Sequence, residues 1–271
     1  MAHVSAVTKV GIPASTGNVL SIAHAAGLQS SFPLLAKRNK FSKVLFFGRI
    51  TGKAGDYLIA MGLEDSWLAG KKFFWCQDGV SWGELQKPTA EDKANCAKLP
   101  ANMMLSGDPS TQVTLPAEPV GEEEEEVEPP KVDEIVRLAV IVEAIDAEAA
   151  MAPVGALSQS STGAVTDNRA YTGIDKPMAM SSAGYVFINK SKPKDALAPT
   201  AKKALDFLVS CDELVPKGAL CPTFDEASGC VAVRNLVWPG FLAYTFPGSN
   251  YWGYCYFGTG EKNADIAFML H

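Results

Sequence analysis

Apolar residues recur along this chain in two rhythms, one helical and one suited to short strands. Between 14 and 28, Val19, Leu20, Ile22, Ala23 and Ala26 stand at roughly helical spacing, with Ser15 and Thr16 placed to cap. A further turn is expected over 32–38, started by Pro33 where a helix beginning best tolerates proline. The rhythm then shortens. Val44-Leu45-Phe46-Phe47 and Asp56-Tyr57-Leu58-Ile59-Ala60 flank a glycine-bearing loop and predict a hairpin; 72–77 and 80–82 predict a second one around Asp78-Gly79. A short helix is expected over 90–98. Ile135, Leu138, Ala139, Val142 and Ile145 then form one helical stripe, although the compact 140–142 run also suits a strand. After a loop-rich 153–183 comes a predicted surface helix over 200–209, with Ala201, Ala204, Leu205 and Leu208 opposite Lys202, Lys203 and Asp206.

The last third reads as sheet. Runs at 230–237, 241–246 and 251–257 are separated by Trp238-Pro239-Gly240 and Pro247-Gly248-Ser249-Asn250, turn residues that set up an antiparallel meander. Nine of the chain's 25 aromatics lie between Trp238 and Phe257, on both faces of these presumed strands. One face can line a core. The other needs a cover, either a helix or loop of the same chain or a partner protein. The fold expected is α+β, a mainly antiparallel sheet with N-terminal and peripheral helices, in a single domain over 1–271. Its helical start covers about 14–40, and an acidic flexible insertion interrupts it at about 106–134.

Charge sharpens this picture. The 271 residues carry a formal net charge of -6. Nine acids and one base fall between 118 and 134, leaving 23 basic against 21 acidic residues elsewhere. The acidity therefore belongs to one solvated segment, and the near-neutral body lacks the clustered Lys and Arg that a nucleic-acid binder uses. Two uncharged stretches, 10–36 and 235–260, are too rich in proline, glycine and small polar residues to span a membrane. With no secretory pattern at the N-terminus, a cytoplasmic location is expected.

The candidate chemistry is sparse. Six cysteines at irregular spacing read as reduced thiols, and His24 is the one histidine away from the ends, so neither a structural zinc site nor a histidine-dependent nucleophile is expected. Gly48-Arg49-Ile50-Thr51-Gly52-Lys53 misses phosphate-loop spacing by one residue, and Gly258-Thr259-Gly260 lacks the third glycine of a dinucleotide fingerprint. No cofactor and no enzymatic activity are expected. Two alternatives stay open: a carboxylate-dependent enzyme, and an acidic protein-binding module acting through Glu122, Glu123, Glu124, Glu125 and Glu126.

A resemblance carries further. Ser31-Phe32-Pro33-Leu34-Leu35, Val44-Leu45-Phe46-Phe47-Gly48-Arg49-Ile50 and Asp56-Tyr57-Leu58-Ile59-Ala60-Met61-Gly62-Leu63 resemble the N-terminal signature of the radial spoke head protein 9 family. Leu236-Val237-Trp238-Pro239-Gly240, Asn250-Tyr251, Tyr256-Phe257-Gly258-Thr259-Gly260-Glu261-Lys262-Asn263 and Phe268-Met269-Leu270 resemble its C-terminal one, with Ile145-Asp146 and Gly155-Ala156-Leu157 between. Trp252 looks inserted, which suggests a bulge, and Val154 stands where an arginine is expected. The resemblance implies a structural subunit of the spoke head in the axoneme of cilia and flagella. It further implies partners in the larger spoke head proteins 4 and 6 and, indirectly, in central-pair projections, with signals relayed to dynein arms. The positions singled out for assembly are Phe46, Phe47, Gly48, Tyr57, Trp238, Pro239, Gly240, Tyr251, Trp252, Tyr254, Tyr256, Gly258 and Gly260. The two signature blocks are expected to pack together.

Overall fold

The computed structural model describes residues 19–100, 103–116, 130–193 and 204–269. Its centre is an eight-stranded sheet made of two four-stranded antiparallel meanders. The first comprises β1 (Lys43–Thr51), β2 (Asp56–Leu63), β3 (Lys72–Cys76) and β4 (Gly83–Leu85). The second comprises β12 (Leu220–Asp225), β13 (Cys230–Asn235), β14 (Phe241–Thr245) and β15 (Trp252–Gly258). Spatial order is β12-β13-β14-β15-β1-β2-β3-β4. The first strand of one meander and the last strand of the other run parallel where they meet. The α+β expectation is met, and the two blocks do pack together.

Helix α3 (Glu134–Ala149) covers one face of the sheet. It buries Leu138, Ala139, Val142 and Ile145 as the stripe requires, and its sixteen-residue length settles 140–142 as helix. A three-stranded layer, β7 (Met151–Pro153), β10 (Tyr185–Ser191) and β11 (Leu208–Ser210), adds to the same core. The opposite face carries α1 (Ile22–Asn39), whose Leu28 and Leu35 meet sheet residues such as Phe46, Leu58 and Phe74.

Several local expectations change. Ser15 and Thr16 lie outside the described residues, and the cap of α1 is Ser21, whose side chain accepts from the His24 N–H at 3.1 Å. The helix runs on through Pro33 instead of restarting there. A proline inside a helix removes a hydrogen bond at a cost of about 3 kcal/mol; burial of Leu28, Ser31 and Leu35 on either side offsets it. Ser31 also donates to the Gly79 carbonyl at 2.9 Å and accepts from the Trp82 indole at 2.9 Å. The expected stripe was rotated, since Ile22 is 91% exposed.

The partner of β3 is β4, three residues beyond the expected 80–82. The Asp78 carboxylate accepts from the Val80 and Ser81 N–H groups at 2.9 and 2.8 Å, which closes a turn and diverts donors that a strand would use. Helix α2 (Ala90–Ala97) forms as expected, with Thr89 and Asp92 in a capping box. The helix expected at 200–209 is replaced, in its described part, by an exposed turn at 204–206 followed by β11; 200–203 lie outside the described residues. Leu205 is 49% exposed, while Phe207 and Leu208 are buried beside β10, where the Phe207 carbonyl accepts from Lys192 N at 2.8 Å.

The flanks of the acidic insertion are built into the molecule. Strands β5 (Gln112–Thr114) and β6 (Lys131–Asp133) pair with each other, Leu105 and Leu115 are buried, and Ala54 N donates to the Ser106 carbonyl at 2.7 Å. Residues 117–129, including Glu122 to Glu126, lie outside the described residues. The region 153–183 holds a small hairpin, β8 (Leu157–Gln159) with β9 (Val165–Asp167), and the one-turn helix α4 (Lys176–Ala179). A last turn, α5 (Ile266–Met269), closes the described chain.

Candidate assembly surface

The two sequence blocks meet along the seam between β1 and β15, in the register Gly48 with Tyr256, Arg49 with Phe257 and Ile50 with Gly258. A side chain at position 48 would place its Cβ 2.2 Å from the Tyr256 carbonyl oxygen, so only glycine lets these backbones approach. Next to it, β1 carries a bulge. Phe46 pairs with Ala60 and Gly48 with Ile59, which leaves Phe47 as the extra residue. The bulge keeps Phe47 and Ile50 on the same α3-side core, with Phe46 on the opposite face.

The turn between β13 and β14 rests directly on this seam. Asn235 Oδ1 accepts from Val237 N at 2.9 Å and Trp238 N at 3.4 Å, folding the Trp-Pro-Gly sequence back. Gly240 has φ 98°, and its carbonyl accepts from Phe257 N at 2.9 Å. The Trp238 indole donates to Glu148 on α3 at 2.9 Å, and Glu148 pairs with Lys262 at 2.8 Å. Gly260 N donates to the Tyr256 hydroxyl at 2.8 Å, and Asn263 N to the Val237 carbonyl at 2.9 Å. Arg234, Pro239, Gly240 and Thr259 border an open groove of about 540 Å³ floored by Phe241 and Phe257.

Most positions singled out for assembly face inward. Phe46, Phe47, Gly48, Tyr57, Trp238, Tyr254, Tyr256 and Gly260 are buried within the chain itself. Pro239 and Gly240 are exposed, Gly258 is half-buried, and Tyr251 is 71% exposed. Of the two covers considered for the second aromatic face, burial inside this chain is the one observed. Trp252 is no bulge: it stands opposite Thr245 in an unbroken β14–β15 register, half-buried with its ring 5.6 Å from that of Trp67. Val154 is partly exposed, its N–H donating to the Gly184 carbonyl at 2.9 Å.

The polar residues missed by sequence reasoning sit on α3. Glu134 and Asp146 fall on the same four-residue row as Leu138 and Val142, and that row was the available signal. Glu134, fully buried, accepts from Gly107 N at 2.9 Å, Ser106 Oγ at 3.0 Å and the Tyr57 hydroxyl at 3.4 Å. Arg137 lies 3.4 Å from it and donates to the Met103 carbonyl at 2.8 Å. Asp146 pairs with Lys71 and accepts from Asn189 at 3.1 Å and the Tyr254 hydroxyl at 3.3 Å. Burial first, then these carboxylates, push the hydroxyls of Tyr57 and Tyr254 upward. Protein donors thus surround both carboxylates, which pin α3 to the sheet. The surface acids Asp78, Asp92, Asp108 and Asp225 are instead held low by hydrogen bonds from their own turns or caps, Asp78 at about 2.

All six cysteines are free; Cys76, Cys211, Cys230 and Cys255 are buried. Among the described residues no group of three His, Cys, Asp or Glu could hold a metal ion, and no helix is long and apolar enough to cross a membrane.

Fold and corner together define an open-sheet α+β protein whose recognisable blocks build one internal seam and one shallow groove. No family model matches the chain. Curated relatives are nonetheless similar along almost its whole length. They include the radial spoke head protein 9 homologs of Danio rerio (34% identical, 96% of each chain), Homo sapiens (32%, 98% of this chain and 99% of the relative) and Bos taurus (32%, 96% of each). The chain belongs to the radial spoke head protein 9 family.

Proposed function

We propose that this chain is a non-catalytic structural subunit of the radial spoke head, acting as one domain in the axoneme of motile cilia or flagella. The observation that carries the reading is convergence. Blocks some 180 residues apart, recognised through the family, meet at the Gly48–Tyr256 seam and the Trp238-Pro239-Gly240 corner. Signature blocks that meet at a close-packed seam, with buried carboxylates already surrounded by protein donors, fit a scaffold better than a carboxylate-dependent enzyme.

The partners are the larger spoke head proteins 4 and 6, and the subunit helps pass central-pair signals toward the dynein arms. Because the central aromatics are buried inside the chain, docking falls to what stays exposed: the corner with its groove beside Thr259 and, at the other end of β14 and β15, Tyr251. Co-expression with a spoke head protein 4 or 6 partner tests this. A single co-eluting species in size-exclusion chromatography is expected, and Thr259→Arg, at the groove rim, should weaken it at least about tenfold. Two separate species from the wild-type pair would refute the assembly role.

A further inference from the structure

Exposed apolar side chains gather at the β12 margin of the large sheet, away from the corner groove. Met178 and Met180, at α4 and just past its end, are 44% and 38% exposed, and Val215 is 80% exposed. Beside them lies an open groove of about 330 Å³, lined in part by Met180, Leu214, Pro216, Leu220 and Pro222. The segment that carries the methionines is fixed in place. The Tyr185 hydroxyl donates to the Ala179 carbonyl at 2.9 Å, and a Cβ on Gly184 would stand 2.2 Å from the Met178 carbonyl oxygen. Lys176, at the start of α4, holds its Nζ 3.5 Å from the centroid of the Phe224 ring, so α4 lies beside β12. The six residues of β12 span roughly 20 Å, the length of about 13 helical residues.

We propose that this margin docks a basic amphipathic helix of a partner protein. Charge selects the sign of the partner. The stretches that build the margin, 175–184 and 211–226, carry five exposed acids, Asp175, Asp212, Glu213, Asp225 and Glu226, against Lys176 and Lys217. Both bases are engaged within the chain, Lys176 over Phe224 and Lys217 on the Asp212 carbonyl. Such a margin repels a copy of itself and an anionic lipid surface alike.

The backbone selects a helix over an added strand. Leu236 N donates to the Ala219 carbonyl at 2.9 Å, so the ladder toward β13 falls on 219, 221, 223 and 225. The outward backbone groups of β12 therefore belong to Leu220, Pro222 and Phe224. Pro222 has no N–H, and a strand laid along this edge would lose its central donor. What remains is side-chain docking, an apolar stripe seated beside flexible methionines with its flanking bases on the acids.

The full chain and a synthetic peptide test this. The probe is a peptide of about 14 residues with leucines three and four apart and Lys or Arg elsewhere; a second peptide has Glu in place of each base. Methyl-labelled methionine NMR reads the site, and fluorescence anisotropy reads the affinity. The basic peptide should bind and shift the Met178 and Met180 methyl signals, and the Glu version should bind at least about tenfold more weakly. Met180→Asp and, separately, the Glu213→Lys/Glu226→Lys double variant should each weaken the basic peptide at least about tenfold, while Thr259→Arg at the corner leaves its affinity unchanged. No binding by the basic peptide, equal binding by the Glu version, or full affinity in the double variant would each overturn the proposal. Weakening by Thr259→Arg would overturn it too, since the peptide would then sit at the corner. So would methyl shifts that appear on concentrating the free chain, because a second copy would then be the occupant. If Met180→Asp does not fold, the double variant decides, as Glu213 and Glu226 are both exposed.

Discussion

Replacing Gly48 by alanine probes the one parallel join in the large sheet. The new Cβ would stand 2.2 Å from the Tyr256 carbonyl oxygen, 2.8 Å from its nitrogen and 2.9 Å from its carbonyl carbon, all backbone atoms that cannot swing away. Restoring an ordinary contact requires β1 and β15 to part by roughly 1.3 Å or more, because dispersion contacts sit near 3.5–4.0 Å. Overpacking of this kind costs about 1–3 kcal/mol, and each ladder hydrogen bond stretched along the seam adds about 1 kcal/mol. Gly48→Ala should therefore lose about 3–4 kcal/mol, a fall in Tm of roughly 6–16 °C at about 2–4 °C per kcal/mol. Gly163→Ala is the control. Gly163 has φ 86° with nothing within 4 Å of its added Cβ, so backbone strain alone applies, at about 1–2 kcal/mol. Urea and thermal unfolding followed by tryptophan fluorescence measure both. If Gly48→Ala costs no more than Gly163→Ala, the seam is not the close-packed junction described above.

Asp146→Ala should cost about 3 kcal/mol or more, because it leaves Lys71 nearly buried without its carboxylate, whereas Lys43→Ala, breaking the exposed pair with Asp167, should cost under about 1 kcal/mol in the same urea titration. Trp238→Phe deletes the indole donor to Glu148 and should lower stability by about 1–2 kcal/mol; a neutral effect would show that this hydrogen bond does not hold the corner to α3. The Asp78 turn predicts a pH response. Its folded pKa, about 2, lies below the ordinary carboxylate value of 3.8, so its contribution is fully present above the unfolded pKa and disappears as pH falls through about 2. Amide exchange at Val80 and Ser81 should quicken over that window relative to Asp78→Asn, and equal profiles in both chains would refute the assignment.

Much of the fold was legible because local pattern and burial agree. The α3 stripe repeats with the helical period, and the β1–β2 hairpin and the C-terminal meander read as compact β-prone runs divided by turn residues. Legibility failed where a distant partner reversed a local preference. Pro33 stays inside α1 because burial on both sides holds the helix together. Leu208 is a strand residue because β10 lies beside it, and Trp252 keeps register because Thr245 faces it. The candidate site divides the same way. Its glycines and aromatics were identifiable, yet nothing local distinguishes Tyr251, exposed at a turn, from Tyr254 and Tyr256, buried three and five residues later.

The sequence alone determined the class of fold, the confinement of acidity to one segment, the scarcity of histidine and the family through its two end blocks. Each of these is a property of residue type and short spacing. Tertiary structure decided that the blocks meet in parallel, that the bulge sits at Phe47 and not at Trp252, that Glu134 and Asp146 are pins beneath the sheet, and that the aromatics are buried within the chain. These depend on which backbone lies within a few ångströms of which. That proximity is set only once the two meanders close on each other at Gly48.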